Sequence, residues 1–591
     1  MIRPNWIRTA AVLIIFAVAF LWLTDNSITS MSATSDEPIH LTTGYLALKL
    51  GDYRMDPEHP PFLRLWAALP LLFHEGIRTE TRDIDNLSPV KWITQTQPIY
   101  AYLFLYKGNA GDELLYPARF MISLVGVLLG VLIFCWAREL IGFWPAVFAL
   151  GFYTIEPNIL AHASLVTTDF GVTCFFFGAI YFLWRTARCL TGPNVLGLAA
   201  LTVFAVISKY SALLLGPIII LLLLVHSLRQ TSWSCRLGGL REIPTRLGRI
   251  AASAALLVML FVLCWCAIWA SYGFHYMPSA TPGWRFQFDS VPFVLEHAPK
   301  LARVVSWIDL HHLLPNAFSE GFVLQQAKES GRPTFFLGRT AMHGWWYYFP
   351  VAFLIKTPVS LILLFLGGMV VCALGWKEFL KNYLFVLVPV FIYMFVAMHS
   401  GLNIGLRHIL PIFPFVILLC ALAASEFLRS KSRIARPALG LLCLFWIFEF
   451  ARVYPHNLAF FNELIGGPQN GYKYLSDSNL DWGQDIKPLK QWMDQHGVQS
   501  INLAVFGPAD PAYYGIQCTY MPGAAMVART QVSLPQLPAY VAISPMVFQG
   551  TLTGEPGKQF YKPLLDREPT AVIGYSIRIY WAESPWWNKI H

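Results

Sequence analysis

Charge is what this 591-residue chain has least of: Asp, Glu, Lys and Arg make up 13% of it, against 56% hydrophobic residues and a mean hydropathy of +0.50. A soluble protein of that length could not cover so much apolar surface, so the chain needs lipid. No P-loop, dinucleotide fingerprint, HExxH pair or GxSxG elbow stands where a strand and helix could support it, which disfavours nucleotide-sugar chemistry in the cytoplasm. Nine of the ten cysteines lie in or beside apolar runs and Cys518 stands alone in the tail, so neither a disulfide framework nor a Cys-based metal site is on offer. Internal repeats, low-complexity segments and paired broken helices are missing, and mid-span charges are scarce. Those absences count against a transporter or flippase of lipid-linked sugars, which would need a polar path across the membrane.

What is present is a series of apolar runs near the roughly 20 residues a membrane helix requires. They fall at 9 to 24, 117 to 137, 141 to 160, 168 to 185, 193 to 208, 211 to 228, 250 to 271, 348 to 374, 382 to 398, 409 to 428 and 437 to 453. About eleven spans are expected, the first of them an uncleaved anchor. Basic residues gather in alternate short loops: Arg3 and Arg8, Arg185 and Arg188, Arg229 to Arg249, Lys377 and Lys381, and Arg429 to Arg436. The positive-inside rule puts these in the cytoplasm, and with them the N-terminus. Segments 25 to 116 and 272 to 347 and the tail after 453 then fall outside. The net charge of +9 reflects loops facing anionic membrane lipids and is no sign of nucleic-acid binding.

The expected architecture is an all-α polytopic domain over 1–453 followed by a small extracytoplasmic α/β domain over 454–591. In the first outer loop, Ser35 to Leu50 reads as a helix, and Pro60 to Phe73, with Trp66, reads as a helix lying in the interface. Trp345 to Tyr348 form an aromatic belt where a later span begins. The tail is read as a helix from Asp485 to His496 stopped by Gly497, with strands at 501 to 506, 539 to 544 and 571 to 581.

Polar residues collect at the outer ends of the spans. Asp36 and Glu37, just beyond the first span, suit deprotonation of an acceptor hydroxyl; capping by Ser35 and the acids is the plainer alternative. His162 and Asp169 occupy the second outer turn, where Asp169 could equally be a helix cap. Lys209, Arg407 and His408 stand on the side that positive residues avoid, as a lipid-phosphate site would require, although snorkelling also accounts for them. The run DSNLDWGQD at 477 to 485 supplies Asp481, Trp482 and Gln484, a set that suits sugars but also ordinary turns. A non-catalytic glycan-binding protein would not need cations and acids in four separate turns.

Together these residues resemble the GT-C glycosyltransferases, in the branch of the protein O-mannosyltransferases and the bacterial aminoarabinose lipid A transferases. The likeness rests on Asp36-Glu37, Gly51-Asp52, Glu58-His59-Pro60-Pro61, Asp169, Lys209, and Arg407 with Pro411 and Pro414. The resemblance implies a bacterial inner-membrane enzyme that moves a hexosyl or pentosyl group, with inversion, from a polyprenyl-phosphate donor to an extracytoplasmic lipid, glycan or protein. Asp36 is then the general base with Glu37 as neighbour or substitute. Asp169 orients hydroxyls, and Lys209, Arg407, His408 and His59 offset the donor phosphate. His162, Asp481, Trp482 and Gln484 are candidates for sugar or acceptor contact. His59 stands where the aminoarabinose transferases carry Lys, which weakens phosphate binding at neutral pH. The residues fix no cofactor and leave a divalent metal ion open: outward acids and His59 could ligate one, though no spacing compels it.

Overall fold

A computed structural model describes residues 6–79, 97–229, 232–237, 239, 241–277, 298–328, 331–375, 382–529 and 531–589. The basic pair Lys377 and Lys381 lies outside the described residues.

Every one of the apolar runs is largely helical, with breaks at Ile155–Glu156 in the run 141 to 160 and at Thr357–Pro358 in the run 348 to 374. Six helices are long and apolar enough to cross a membrane: Trp6–Ser30, Gly111–Leu140, Thr168–Arg188, Tyr210–Leu228, Arg246–Ser271 and Leu406–Arg429. A seventh candidate is the pair Tyr348–Lys356 and Val359–Leu374, bent by 116°. Phe143–Thr154, Gly192–Val206 and Leu384–Met398 are apolar but shorter, and Ala435–Val453 carries Arg436, Glu449 and Arg452. Against about eleven expected spans, six helices, or seven with the bent pair, have the dimensions of a span among the described residues.

The bend has a local cause. Pro358 lacks an N–H and biases Thr357 towards extended backbone, where it sits at φ −100° and ψ 135°. The freed carbonyls of Leu354 and Thr357 accept from the Asn462 side-chain amide at 2.6 and 2.7 Å. Val359 N–H donates to the Glu449 carboxylate at 3.1 Å. A broken helix is tolerated at membrane depth when such partners replace the lost ones, and Asn462 belongs to the tail.

The first loop, the segment after Arg246–Ser271 and the tail assemble on one face of the bundle. Helix Glu37–Leu50 begins on Pro38 and ends at Gly51, whose φ of 66° lets its N–H reach the Ala47 carbonyl. The expected interface helix is Phe62–Ala68 continued by the tight turn Leu69–Phe73, and Trp66 Nε1 donates to the Met121 carbonyl at 2.8 Å. Trp345, Tyr347 and Tyr348 enclose the Phe336 ring with centroids 5.1–5.4 Å away, so this group is packed against protein as well as being placed at a helix start. Asp510 of the tail binds Tyr102 at 3.0 Å and Lys107 at 2.7 Å from the first loop.

The tail's sheet holds five strands in the spatial order Ala571–Ile573, Ile577–Ala582, Ala539–Ile543, Ser500–Ala504, Gln517–Tyr520. The last three are parallel neighbours and the others pair antiparallel. Helix Ile486–Gln495 precedes them and stops before Gly497 at φ 65°. The run 571 to 581, read as one strand, is a hairpin turned at Gly574 and Tyr575, both in the left-handed region. Gln517–Tyr520 escaped the sequence reading because its polar residues break the apolar run.

Candidate active site

The two most enclosed spans, Thr168–Arg188 and Leu406–Arg429, with 89% and 94% of their apolar windows buried, carry Asp169 and Arg407 at their first turns. Close packing around these helices fixes where their first side chains can go. Between the shorter helix Gly192–Val206 and the turn Tyr210–Leu214, Lys209 adopts extended backbone, and its ammonium pairs with the Asp169 carboxylate. The other oxygen of Asp169 lies 3.4 Å from Arg407 Nη1, and the same Nη1 donates to Asp36 at 2.7 Å. Four residues from four separate chain segments thus form one network.

Neither acid acts as a helix cap. Asp36 occupies the N-cap position of Glu37–Leu50 yet makes no side-chain cap hydrogen bond. The cap of Thr168–Arg188 is Thr167, and Asp169 lies inside the helix. Asp36 is the accessible acid, with 31% of its side chain exposed against 3% for Asp169. Burial alone would raise the Asp36 pKa, but the charges of Arg407 and then His40 outweigh it and hold the carboxyl below its ordinary value.

Around the network sit buried nitrogens that have no hydrogen-bond partner among the described residues: Arg407 Nε, His162 Nδ1 and His408 Nε2. His408 lies within electrostatic range of Lys209, Arg407, Asp169 and Asp36. Buried polar groups are almost always satisfied, so these nitrogens call for partners that water or a polar ligand would supply. The Arg407 guanidinium rests over the Trp482 ring at 4.2 Å, and the His162 ring meets the same indole edge-on at 6.3 Å.

A second cluster adjoins Asp36. Asp56 pairs with Arg64 at 2.9 Å and His40 at 3.1 Å, with His59 at 3.6 Å. Burial opposes the charge on Asp56, but Arg64 and the two imidazoles hold its carboxyl well below the usual range. Burial likewise lowers the His40 pKa, and its bond to Asp56 reverses that and leaves it raised. At His59 burial wins and the pKa is lowered. Ligand atoms of His40, Asp56 and His59 lie within 4.8 Å of one another, a donor set suited to a divalent ion such as zinc. Arg64 already offsets Asp56 there, so the set fits a metal in kind and spacing while its charge is partly spent.

Several expected site residues sit elsewhere. Glu37 is fully buried and its carboxylate is saturated, accepting from Arg119 at 2.6 and 2.8 Å, Val166 N–H at 2.9 Å and Thr34 N–H at 2.9 Å. A role as substitute base does not fit that geometry. Asp481 is buried against the Met546 N–H at 3.2 Å, and burial pushes its pKa up to about 7. Gln484 closes its own turn on Trp482 N–H and the Leu480 carbonyl. Neither faces the network, so sugar or acceptor contact through them does not fit. His40, Asp56 and Arg64 received no role from sequence. The available signal was spacing: His40 follows Asp36 by one helical turn, and Asp56 and His59 are three apart.

The fold and the site define a polytopic membrane protein whose charged network lies at one end of its helices, lined by loops and a folded tail. Residues 109–269 match the family described as dolichyl-phosphate-mannose-protein mannosyltransferase, in agreement with the family resemblance; of the residues that carry that resemblance, Asp169 and Lys209 lie within the match. No curated protein matches the chain. Among solved structures, the chain is similar to the Archaeoglobus fulgidus oligosaccharyltransferase in its apo form at 12% identity and TM-score 0.47, over 95% of this chain and 73% of that one. ArnT from Cupriavidus metallidurans in the apo state aligns at 12% identity and TM-score 0.30, over 97% and 98% of the two chains. The same ArnT bound to undecaprenyl phosphate aligns at 11% identity and TM-score 0.27, over 98% of each.

Proposed function

We propose that this protein is an integral membrane glycosyltransferase that moves a sugar from a polyprenyl-phosphate donor to an extracytoplasmic acceptor, with inversion and with Asp36 as general base. The observation that carries the reading is the meeting of Asp36, Asp169, Lys209 and Arg407 in one network bordered by unpartnered buried nitrogens. Cations that already face one another across two carboxylates make an anion site with its counter-charges preloaded. A donor phosphate arriving on Arg407 and Lys209 competes for the Nη1 that holds Asp36, and so frees that carboxylate next to the reacting carbon.

In the transfer itself the bond from the anomeric carbon to the phosphate oxygen breaks while an acceptor oxygen or nitrogen bonds from the opposite face. The acceptor proton passes to Asp36, and the electron pair of the broken bond leaves with the polyprenyl phosphate. Lys209 and Arg407, with His408 beside them, offset the charge that grows on the leaving phosphate, which is usually the largest catalytic contribution. Asp169 lies between two cations, so it holds them in place and accepts from sugar hydroxyls. A divalent ion held by His40, Asp56 and His59 would supply Lewis-acid stabilisation next to Asp36. The site faces the extracytoplasmic side of a bacterial inner membrane in this reading, because the basic loops lie at the opposite ends of the helices.

Incubating membranes that contain the protein with radiolabelled polyprenyl-phosphate sugar tests this directly. Consumption of donor with release of polyprenyl phosphate and label on an acceptor is the expected result. Transport of intact donor without cleavage would overturn it.

A further inference from the structure

The tail does more than cover the bundle: its 477 to 485 run builds the seat of Arg407. Ser478 Oγ donates to the Ile404 carbonyl at 2.9 Å, and Leu406 N–H donates to Asn479 Oδ1 at 2.9 Å, so both sides of the Arg407 turn are held by the tail. The approach is close enough that a Cβ on Gly405 would meet Ser478 Oγ at 2.1 Å. Trp482 then presents its ring to the guanidinium at 4.2 Å, while Ser35 N–H donates to the Trp482 carbonyl at 2.9 Å. One indole residue thereby touches Arg407 through its ring and the Asp36 loop through its backbone. Trp482 is 2% exposed and Arg407 8%, so water does not screen the contact. Ser32 adds a second tie, donating to the Gly483 carbonyl at 3.1 Å and accepting from Ile486 N–H at 3.2 Å.

We propose that Trp482 is a positioning residue for Arg407, and that the C-terminal domain sets the affinity of the site for a phosphate group by fixing the plane of that guanidinium. A fork-shaped cation pays off only when its plane is fixed, and an aromatic face beneath it does this without using any of its N–H groups. Arg407 Nε is accordingly left unpartnered and available. The sugar or acceptor contact expected of Trp482 from sequence gives way here to a role exercised through Arg407. The inference rests on the reading of Arg407 as a phosphate ligand.

The test is a double-mutant cycle on the full-length protein in nanodiscs, measuring binding of a short polyprenyl phosphate with the matching polyprenol as the uncharged control. Trp482→Leu is expected to weaken phosphate binding about tenfold, and Trp482→Phe, which keeps a weaker aromatic face, about threefold or less. In an Arg407→Gln background Trp482→Leu is expected to change nothing further, because the group it positions is gone. Equal weakening by Trp482→Leu with and without Arg407 would show that it acts through the fold, and would overturn the positioning role alone. A loss of about tenfold in Trp482→Phe against the native protein overturns it too, and that measurement stands if the leucine variant does not fold. If Arg407→Gln leaves phosphate binding unchanged, Arg407 is not a phosphate ligand, and both readings fall together.

Discussion

Arg407 Nη1 lies 2.7 Å from Asp36 and 3.4 Å from Asp169, so a single guanidinium nitrogen joins the accessible acid to the buried one. The two acids differ in solvent access and share a cation, which is the arrangement that lets one move protons while the other holds charge in place.

Asp36→Asn keeps the side chain's shape and removes its basicity. Turnover of radiolabelled donor is expected to fall by about 10²–10⁴-fold while insertion and donor binding persist. Near-normal transfer in Asp36→Asn, with Asp169→Asn inactive, would move the base to the second turn.

Arg407→Lys retains the charge and loses the fork. With one ammonium in place of two in-plane donors, donor use measured as kcat/KM is expected to drop about ten- to a hundredfold. A variant with unchanged kcat/KM would mean that charge alone suffices.

Glu37→Gln separates structure from chemistry. Removing one charge from the buried Glu37–Arg119 pair leaves an uncompensated guanidinium, at a cost of roughly 3–5 kcal/mol. Its melting temperature in detergent should fall well below that of Asp36→Asn, whose partly exposed side chain can still bond to Arg407. Comparable melting of the two variants would return Glu37 to the list of candidate bases.

The acid limb of the rate profile should report Asp36. Because Arg407 and His40 hold its pKa below the ordinary carboxylate value, the base stays ionised and active down to a lower pH than a free carboxylate would. Its ion pair follows the same sign: stabilisation is full above the unfolded-state pKa and is lost as pH falls through the lowered folded-state value. Arg407→Gln is expected to shift the acid limb of kcat/KM upward, and an unmoved limb in that variant would assign it to another group.

Membrane sidedness is checked by reporter fusions at Ser432 and Pro508. The first is expected in the cytoplasm and the second outside, since a basic cluster flanks one and the folded tail holds the other. Both reporting from the cytoplasm would remove the outward-facing site.

Much of the molecule could be read from residue order. Each apolar run is largely helical, because about 20 apolar residues in lipid have no other way to satisfy their backbone. Lys209 and Arg407 stand out in the sequence as cations at the helix ends opposite the basic loops. Asp36 and Asp169 were visible as acids at the starts of helices, though the cap explanation competed with a functional one for each. Asp36 and Glu37 look like partners in sequence, whereas the start of a helix sends neighbouring side chains in different directions, one to Arg407 and one to Arg119. Asp481 and Gln484 bond within the tail, and composition cannot tell a polar residue that greets a ligand from one that closes its own turn.

The sequence by itself determined that this chain is helical, lives in lipid and keeps its charges at helix ends, since those properties follow from local composition and from the energy of placing charge in hydrocarbon. Only the tertiary structure decided which charges meet. Asp169 and Lys209 are 40 residues apart and Asp36 and Arg407 are 371 apart, and no periodicity spans such distances. Their pairing is set by how two enclosed spans pack and by a tail that returns to brace the Arg407 turn from beneath. That bracing lies in side-chain contacts between distant segments, where the energy of an interaction depends on separation in space and leaves no trace in the order of residues.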